Sequence, residues 1–149
     1  MEELFKHRIV LTRDLPTAGE RSVLHRAVLR GHYVRIAPGA SVPAEDWRNL
    51  SSEARHRLTA CALQLLHPTT VFCSVTAALL WQRPLLGAAP ERAHALASGA
   101  RNSGSSASFR RHERIGDVAV RDLEGVRVTS LEGRSSTSRN KRIAMSRSR

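Results

Sequence analysis

The chain has 149 residues, of which 41% are hydrophobic and 25% charged. It can therefore bury the core of an ordinary domain, and disorder along its whole length is excluded. Only 4% of the residues are aromatic, which disfavours a surface that binds single strands by stacking bases on rings. Two cysteines are too few for a disulfide framework or a cysteine-rich zinc site. Without a secretory signal or a long apolar run, the sequence predicts a cytoplasmic protein with no membrane partner.

The positive charge is unevenly distributed. Lys and Arg number 24 against 13 Asp and Glu, a net charge of +11. Residues 133–149 contain six basic residues and no acidic one, so residues 1–132 carry a net charge of only +5. The Ser- and Arg-rich 133–149 segment predicts a disordered basic tail. A second basic cluster, from Arg21 to Arg35, lies in otherwise balanced sequence, a pattern typical of nucleic-acid-binding surfaces.

After a short mixed segment over 4–11, read as a helix end or a first strand, two helical segments follow in chain order. A helix start is predicted at Thr12, although Pro16 must fall early in any such helix. The second helix is the stronger prediction, because Thr17 and Glu20 have the spacing of a capping box. Gly31 stands where the glycine that follows a helix is expected.

The second helix has one apolar stripe, formed by Leu24, Ala27 and Val28. Its opposite face carries Ser22, Arg26, Leu29 and Arg30, flanked by His25. Residues 32–36 then alternate, 37–39 form a turn, and 40–42 return, which predicts a β-hairpin. A helical pair followed directly by a hairpin is the order of a winged helix-turn-helix, a fold that places one helix in the DNA major groove.

This arrangement predicts a set of DNA-contacting residues. The helix contacts are Arg21, Ser22, His25, Arg26 and Arg30, Thr12 and Arg13 are placed near phosphates, and Arg35 acts from the wing.

The rest of the chain predicts a second, small α+β region. The predicted elements are an amphipathic helix over 44–67, broken near 50–53, an apolar strand over 71–73, a buried helix over 74–81, and strands over 93–97, 107–110 and 118–129, with a flexible loop over 98–106. The expected fold class is α+β. Its domains are a winged helix-turn-helix over 1–48, a small incomplete α/β domain over 49–132, and the tail over 133–149.

The sequence does not predict an enzyme. None of the seven histidines has the spacing of a metal site, so no metal and no cofactor is expected. Cys61 and Cys73 lie in apolar segments and are interpreted as core residues. No nucleophile motif and no phosphate-binding glycine loop occurs.

Three short motifs are similar to those of a bacterial family. They are Arg30-Gly31-His32-Tyr33-Val34-Arg35-Ile36-Ala37-Pro38-Gly39, then Thr76-Ala77-Ala78-Leu79-Leu80-Trp81, and Gly125-Val126-Arg127-Val128-Thr129-Ser130. They resemble segments of actinobacterial proteins that carry an AbiEi-type antitoxin N-terminal domain, which belong to type IV toxin–antitoxin systems.

The resemblance implies a DNA-binding antitoxin-like transcriptional regulator that acts on its own promoter region, in some systems with a cognate toxin encoded nearby. Longer members also end in a restriction-endonuclease-like domain. The alternative hypothesis is therefore that the chain is the N-terminal remnant of such a protein and has lost the catalytic domain. The sequence leaves the operator and the oligomeric state open.

The end of the chain departs from the family pattern. Members continue with a helix resembling Arg-Thr-Val-Val-Asp-Val-Ala, whereas residues 133–138 read Gly-Arg-Ser-Ser-Thr-Ser. A shift of one base in GC-rich codons converts the first peptide into the second. The hypothesis from sequence is thus a frameshifted, truncated chain, and its alternative is a native basic tail that adds non-specific DNA affinity.

Overall fold

The computed structural model describes residues 8–98 and 106–131. The chain divides into two compact units, Met1–Thr69 and Thr70–Arg149. The first unit contains strand β1 (Val10–Leu11), a 3-10 turn (Thr12–Asp14), helix α1 (Ala18–Leu29), strands β2 (Tyr33–Ala37) and β3 (Ala40–Pro43), and helices α2 (Ala44–Arg48) and α3 (Ser52–Leu66). The second contains helix α4 (Ser74–Leu80) and strands β4 (Ala93–Leu96), β5 (Phe109–His112), β6 (Val120–Leu123) and β7 (Val126–Thr129).

The mixture of helices and strands confirms the α+β composition expected from the sequence. The predicted hairpin is present as β2 and β3, and the predicted break in the 44–67 helix separates α2 from α3. Among the described residues, no helix is long and apolar enough to cross a membrane. The tail over 133–149 and most of the loop predicted over 98–106 lie outside the described residues.

Local chemistry sets both ends of α1. Thr17 and Glu20 form the predicted capping box: the Glu20 backbone N–H donates to Thr17 Oγ1 at 3.1 Å, and the Thr17 N–H donates to Glu20 Oε2 at 3.3 Å. Gly31 follows the helix with φ of +80°. Its N–H donates to the Val28 carbonyl and the next N–H, of His32, donates to the Ala27 carbonyl. This pair of bonds is the Schellman motif, in which glycine avoids the cost of a left-handed conformation.

The helix expected at Thr12 is shorter than predicted. It amounts to one 3-10 turn over Thr12–Asp14, and Leu15 has already returned to an extended conformation. Pro16 explains the early end, because proline disfavours a helical conformation in the residue that precedes it. A single turn therefore stands before α1, where the sequence predicted a helical pair.

A three-stranded sheet of order β1-β3-β2 holds the first unit together. The central strand, β3, is the most buried, and Ala40 and Val42 are fully enclosed. Arg35 on β2 pairs with Ser41 on β3, and the register then shifts before Ala37. A shift of this kind is a bulge, which increases the local twist of a hairpin.

Helix α3 packs on β2 within the first unit. It begins at the Ser51 cap, whose side chain accepts the Ala54 N–H, and it buries Leu58 and Leu63. The boundary between the two units lies after Thr69, whereas the sequence predicts the end of the first domain at residue 48. The apolar face of α3 draws the helix onto the sheet that precedes it.

The core of the second unit forms around Phe72. Its N–H donates to the Arg127 carbonyl and its carbonyl accepts the Thr129 N–H, while the two flanking residues bond to β4. The predicted strand over 71–73 is thereby reduced to isolated bridges made by Phe72. Phe72, Val128 and Leu79 of α4 are fully buried, so the predicted buried helix is confirmed.

Candidate nucleic-acid interface

Helix α1 presents the candidate interface. None of its residues is buried. All five predicted helix contacts are exposed, and the spacing of three, four and eight residues from Ser22 places His25, Arg26 and Arg30 on the same side of the helix as Ser22. Twelve residues at 1.5 Å rise give α1 a length of about 18 Å. That side therefore offers hydroxyl, imidazole and guanidinium groups along the length of the helix.

The guanidinium groups of α1 and of the hairpin are not held in ion pairs within the described part of the chain. Among the described residues, Arg21, Arg26, Arg30 and Arg35 make no ion pair. Arg26 Nε donates to the Ser22 carbonyl at 3.4 Å, a long bond that leaves both terminal nitrogens of the guanidinium unused. The terminal nitrogens are the pair that makes parallel bonds to a phosphate or to a guanine edge.

A groove runs between α1 and the hairpin. Its volume is about 490 Å³ and its lining includes the predicted contacts Thr12, Arg21, His25 and Arg35. Thr12 is held there because its backbone N–H donates to the Gly39 carbonyl at 2.9 Å. The tertiary structure thus brings together residues that the sequence separates by as many as 23 positions, from the turn at Thr12 to the wing at Arg35.

A second, shallower depression lies on α1 itself. Arg21, Ser22, His25 and Arg26 line it together with Ala18. Arg21 and His25 are shared by the depression and the groove. Arg30 lines neither and stands at the end of α1 as its C-cap residue.

Two of the predicted DNA-contacting arginines, Arg13 and Arg21, donate to backbone carbonyls of the first unit. Arg13 Nη2 donates to the Leu65 carbonyl at 2.6 Å. This carbonyl belongs to the last turn of α3, where no helical N–H is left to bond it and a cation is favoured. Arg21 Nη1 donates to the Leu15 carbonyl at 2.8 Å, across the segment that joins the 3-10 turn to α1.

The apolar lining of the groove is not among the residues predicted from the sequence. Leu24, Val28 and Leu29 line it from α1, and Leu29 is 72% exposed. Leu24 and Val28 belong to the apolar stripe that the sequence predicts on this helix. Leu29 was visible as an apolar residue on a polar face, a signal that pointed to this surface.

The described residues of the second unit include few groups that could form a functional site. His112 Nε2 and His94 Nδ1 lie 3.0 Å apart as a hydrogen-bonded pair between the parallel strands β5 and β4. Across the described ranges, no group of three or more His, Cys, Asp or Glu could hold a metal ion.

Cys61 and Cys73 are both buried, in agreement with their interpretation as core residues. Burial raises the pKa of the Cys73 thiol to about 12, so the nucleophilic thiolate is suppressed.

Comparison with known proteins gives no family. No protein-family model matches the chain, and no curated protein matches it in sequence.

Proposed function

We propose that the first unit is a winged helix that binds double-stranded DNA, with α1 in the major groove and the β2–β3 hairpin as the wing. One observation carries the proposal: α1 keeps its polar face exposed, with arginines that have no ion-pair partner among the described residues, directly beside a hairpin that carries Arg35. A helix of about 10–12 Å diameter fits the ~12 Å width of the major groove.

The proposed contacts divide into two kinds. Ser22, His25 and Arg26 lie in the middle of the exposed side of α1, where a recognition helix contacts base edges. Arg30 and Arg35 lie at the end of the helix and on the wing, positions suited to phosphates. Thr12 adds a hydroxyl at the N-terminal side of the groove.

We further propose, from the motif resemblance, that the protein is an antitoxin-like regulator of its own promoter. The family implies a cognate toxin as a second partner in some systems. A reporter gene placed behind the DNA upstream of this gene tests the regulatory function. Expression of the protein is expected to repress the reporter, and a double Arg26→Ala, Arg30→Ala variant is expected to relieve repression. Equal reporter activity with and without the protein would contradict the proposal.

The DNA contacts are tested by titration. Purified protein is mixed with a labelled duplex from the upstream region, and an unrelated duplex serves for comparison. The Arg26→Ala, Arg30→Ala variant is expected to weaken binding at least tenfold, since each lost charge-assisted contact to DNA contributes about 1–3 kcal/mol.

The matched control removes two arginines elsewhere in the same unit. Arg48→Ala with Arg57→Ala is suitable and should change affinity less than threefold. Arg55 is unsuitable as a control, because its Nε donates to the Trp47 carbonyl at 2.9 Å and its guanidinium stacks on the Trp47 ring. Equal losses in the two double variants would overturn the assignment to α1.

A further inference from the structure

The groove between α1 and the hairpin has an apolar lining that DNA contacts do not explain. Leu24 and Val28 are half-buried and Leu29 is mostly exposed, although an amphipathic helix normally buries its apolar stripe. Phosphates bind charged and polar donors, so these three side chains gain nothing from the DNA backbone. The lining fits the apolar body of a ligand.

The rim of the same groove is cationic. Arg35 and His25 line it, and their side chains have no hydrogen-bond or ion-pair partner among the described residues. Arg21 uses one terminal nitrogen for the Leu15 carbonyl and keeps the other free. No acidic residue lines the groove within the described part of the chain. The charge that complements this rim is negative.

Charge also decides between possible occupants. A second copy of the chain, docked α1 to α1, would bring its own arginines against these arginines, and like charges brought together in an interface cost several kcal/mol. An anion avoids this cost. The groove volume of about 490 Å³ lies within the range of small-molecule sites, which combine an apolar lining with a few convergent polar groups.

We infer that this groove binds an amphipathic organic anion, a small molecule with an acidic group on an apolar body. The acidic group lies at Arg35 and His25, and the apolar body covers Leu24, Val28 and Leu29. The inference goes beyond the proposed DNA binding, since it assigns a second ligand to the first unit.

The two ligands compete. Arg35 and His25 are also proposed DNA contacts, so an anion that occupies them lowers the affinity for DNA. The coupling is reciprocal, and DNA lowers the affinity for the anion by the same factor. This consequence alone rests on the proposed function. The bound anion would release the promoter.

The test uses two probes of nearly identical shape, 2-naphthoate and its neutral counterpart 2-naphthamide. Each is titrated into the full chain, without DNA, while the backbone amide signals of Gly39 and Ser41 are followed by NMR. Both residues line the groove. We expect 2-naphthoate to shift these signals saturably and to bind at least tenfold more tightly than 2-naphthamide. Saturable shifts confined to other residues, no saturable shift, or equal affinities for the two probes would overturn the inference.

Two variants separate charge from apolar contact. Arg35→Gln is expected to weaken 2-naphthoate about tenfold, the loss of one charge-assisted hydrogen bond, and to leave 2-naphthamide unchanged. Leu29→Asn, at an exposed position that tolerates the change, is expected to weaken both probes. Arg48→Gln serves as the matched control and should change neither affinity by more than twofold.

The result does not depend on DNA binding. A chain that binds 2-naphthoate as described but no duplex would disprove the proposed function and leave the groove assignment intact. In the opposite case, a chain that binds its duplex but shows no preference for 2-naphthoate over 2-naphthamide would disprove the groove assignment alone.

Discussion

The guanidinium of Arg13 donates to the carbonyl oxygen of Leu65 at 2.6 Å, across 52 positions of sequence. The bond ties the 3-10 turn to the last turn of α3, where the carbonyl has no N–H partner within the helix. Arg13, which the sequence predicts to contact a phosphate, therefore also stabilises the fold of the first unit.

This contact predicts the effect of Arg13→Ala. Stability should fall by about 1 kcal/mol, less than the usual value for a charge-assisted bond because the side chain is 53% exposed. Urea unfolding measures the change. The control, Arg48→Ala, should change the free energy of unfolding by no more than about 0.5 kcal/mol, as surface substitutions generally do. An unchanged midpoint together with weakened DNA binding would return Arg13 to the phosphate-binding residues.

Substitution by alanine is expected to have opposite effects on stability at the two glycines of the α1 region. Gly31→Ala should destabilise by about 1 kcal/mol, because φ is +80° and no neighbour lies within 4 Å of the added Cβ to compensate. Gly19→Ala should stabilise by about 0.5 kcal/mol, since Gly19 is helical and the added Cβ would be in ordinary contact with Thr17 Oγ1 at 3.8 Å. Thermal unfolding of the two variants gives both signs, and the same sign for both would contradict this account of the helix ends.

The raised pKa of Cys73 predicts a loss of stability at high pH. Above the usual thiol pKa, 9.0, the unfolded chain loses the Cys73 proton while the folded chain keeps it up to about 12. The unfolded state therefore binds fewer protons, and stability falls as pH rises between these two values, by at most about 1.4 kcal/mol per pH unit.

The measurement compares unfolding of the wild type and Cys73→Ala at pH 7, 9 and 10. The variant is less stable at pH 7 because it leaves a small cavity, but the difference between the two proteins should shrink at pH 10. The other titrating groups are common to both proteins and cancel in the comparison. A difference that stays constant with pH would show that the thiol does not titrate as described.

Substitution of Arg35 is expected to change the salt dependence of DNA binding. A phosphate contact from the wing raises affinity without setting the preferred sequence, so its removal in Arg35→Gln should weaken binding to every duplex and reduce the slope of log affinity against log salt by about 0.9. Arg26→Ala should instead relax the sequence preference. Titrations of each variant at three salt concentrations, against the upstream duplex and an unrelated one, separate the two roles. A relaxed preference in Arg35→Gln would place this residue at a base edge.

Prediction from the sequence was most successful where the signal is local. The ends of α1 follow from Thr17, Glu20 and Gly31, because a capping box and a Schellman motif are built within a few residues. The same holds for the hairpin around Gly39. The helix at Thr12 was overestimated, since Pro16 restricts the residue before it and leaves only one turn.

Prediction was weaker where pairing is distant. The apolar segment over 71–73 was expected to be a strand, but only Phe72 makes bridges, one to β4 and one to β7. An apolar pattern of three residues indicates that the segment is buried, but it does not specify how many strands pair with it. The position of α3 in the first unit likewise depends on which sheet its apolar face reaches.

The sequence by itself determined the exposed polar face of α1, because helical spacing alone places Ser22, Arg26 and Arg30 on one side. Only the tertiary structure decided which arginines stay available. Arg13 and Arg35 are equally basic in the sequence, yet folding brings the Leu65 carbonyl to the first and no described partner to the second. A guanidinium donates to an acceptor that folding brings within about 3 Å. For Arg13 that acceptor lies 52 residues away in the sequence.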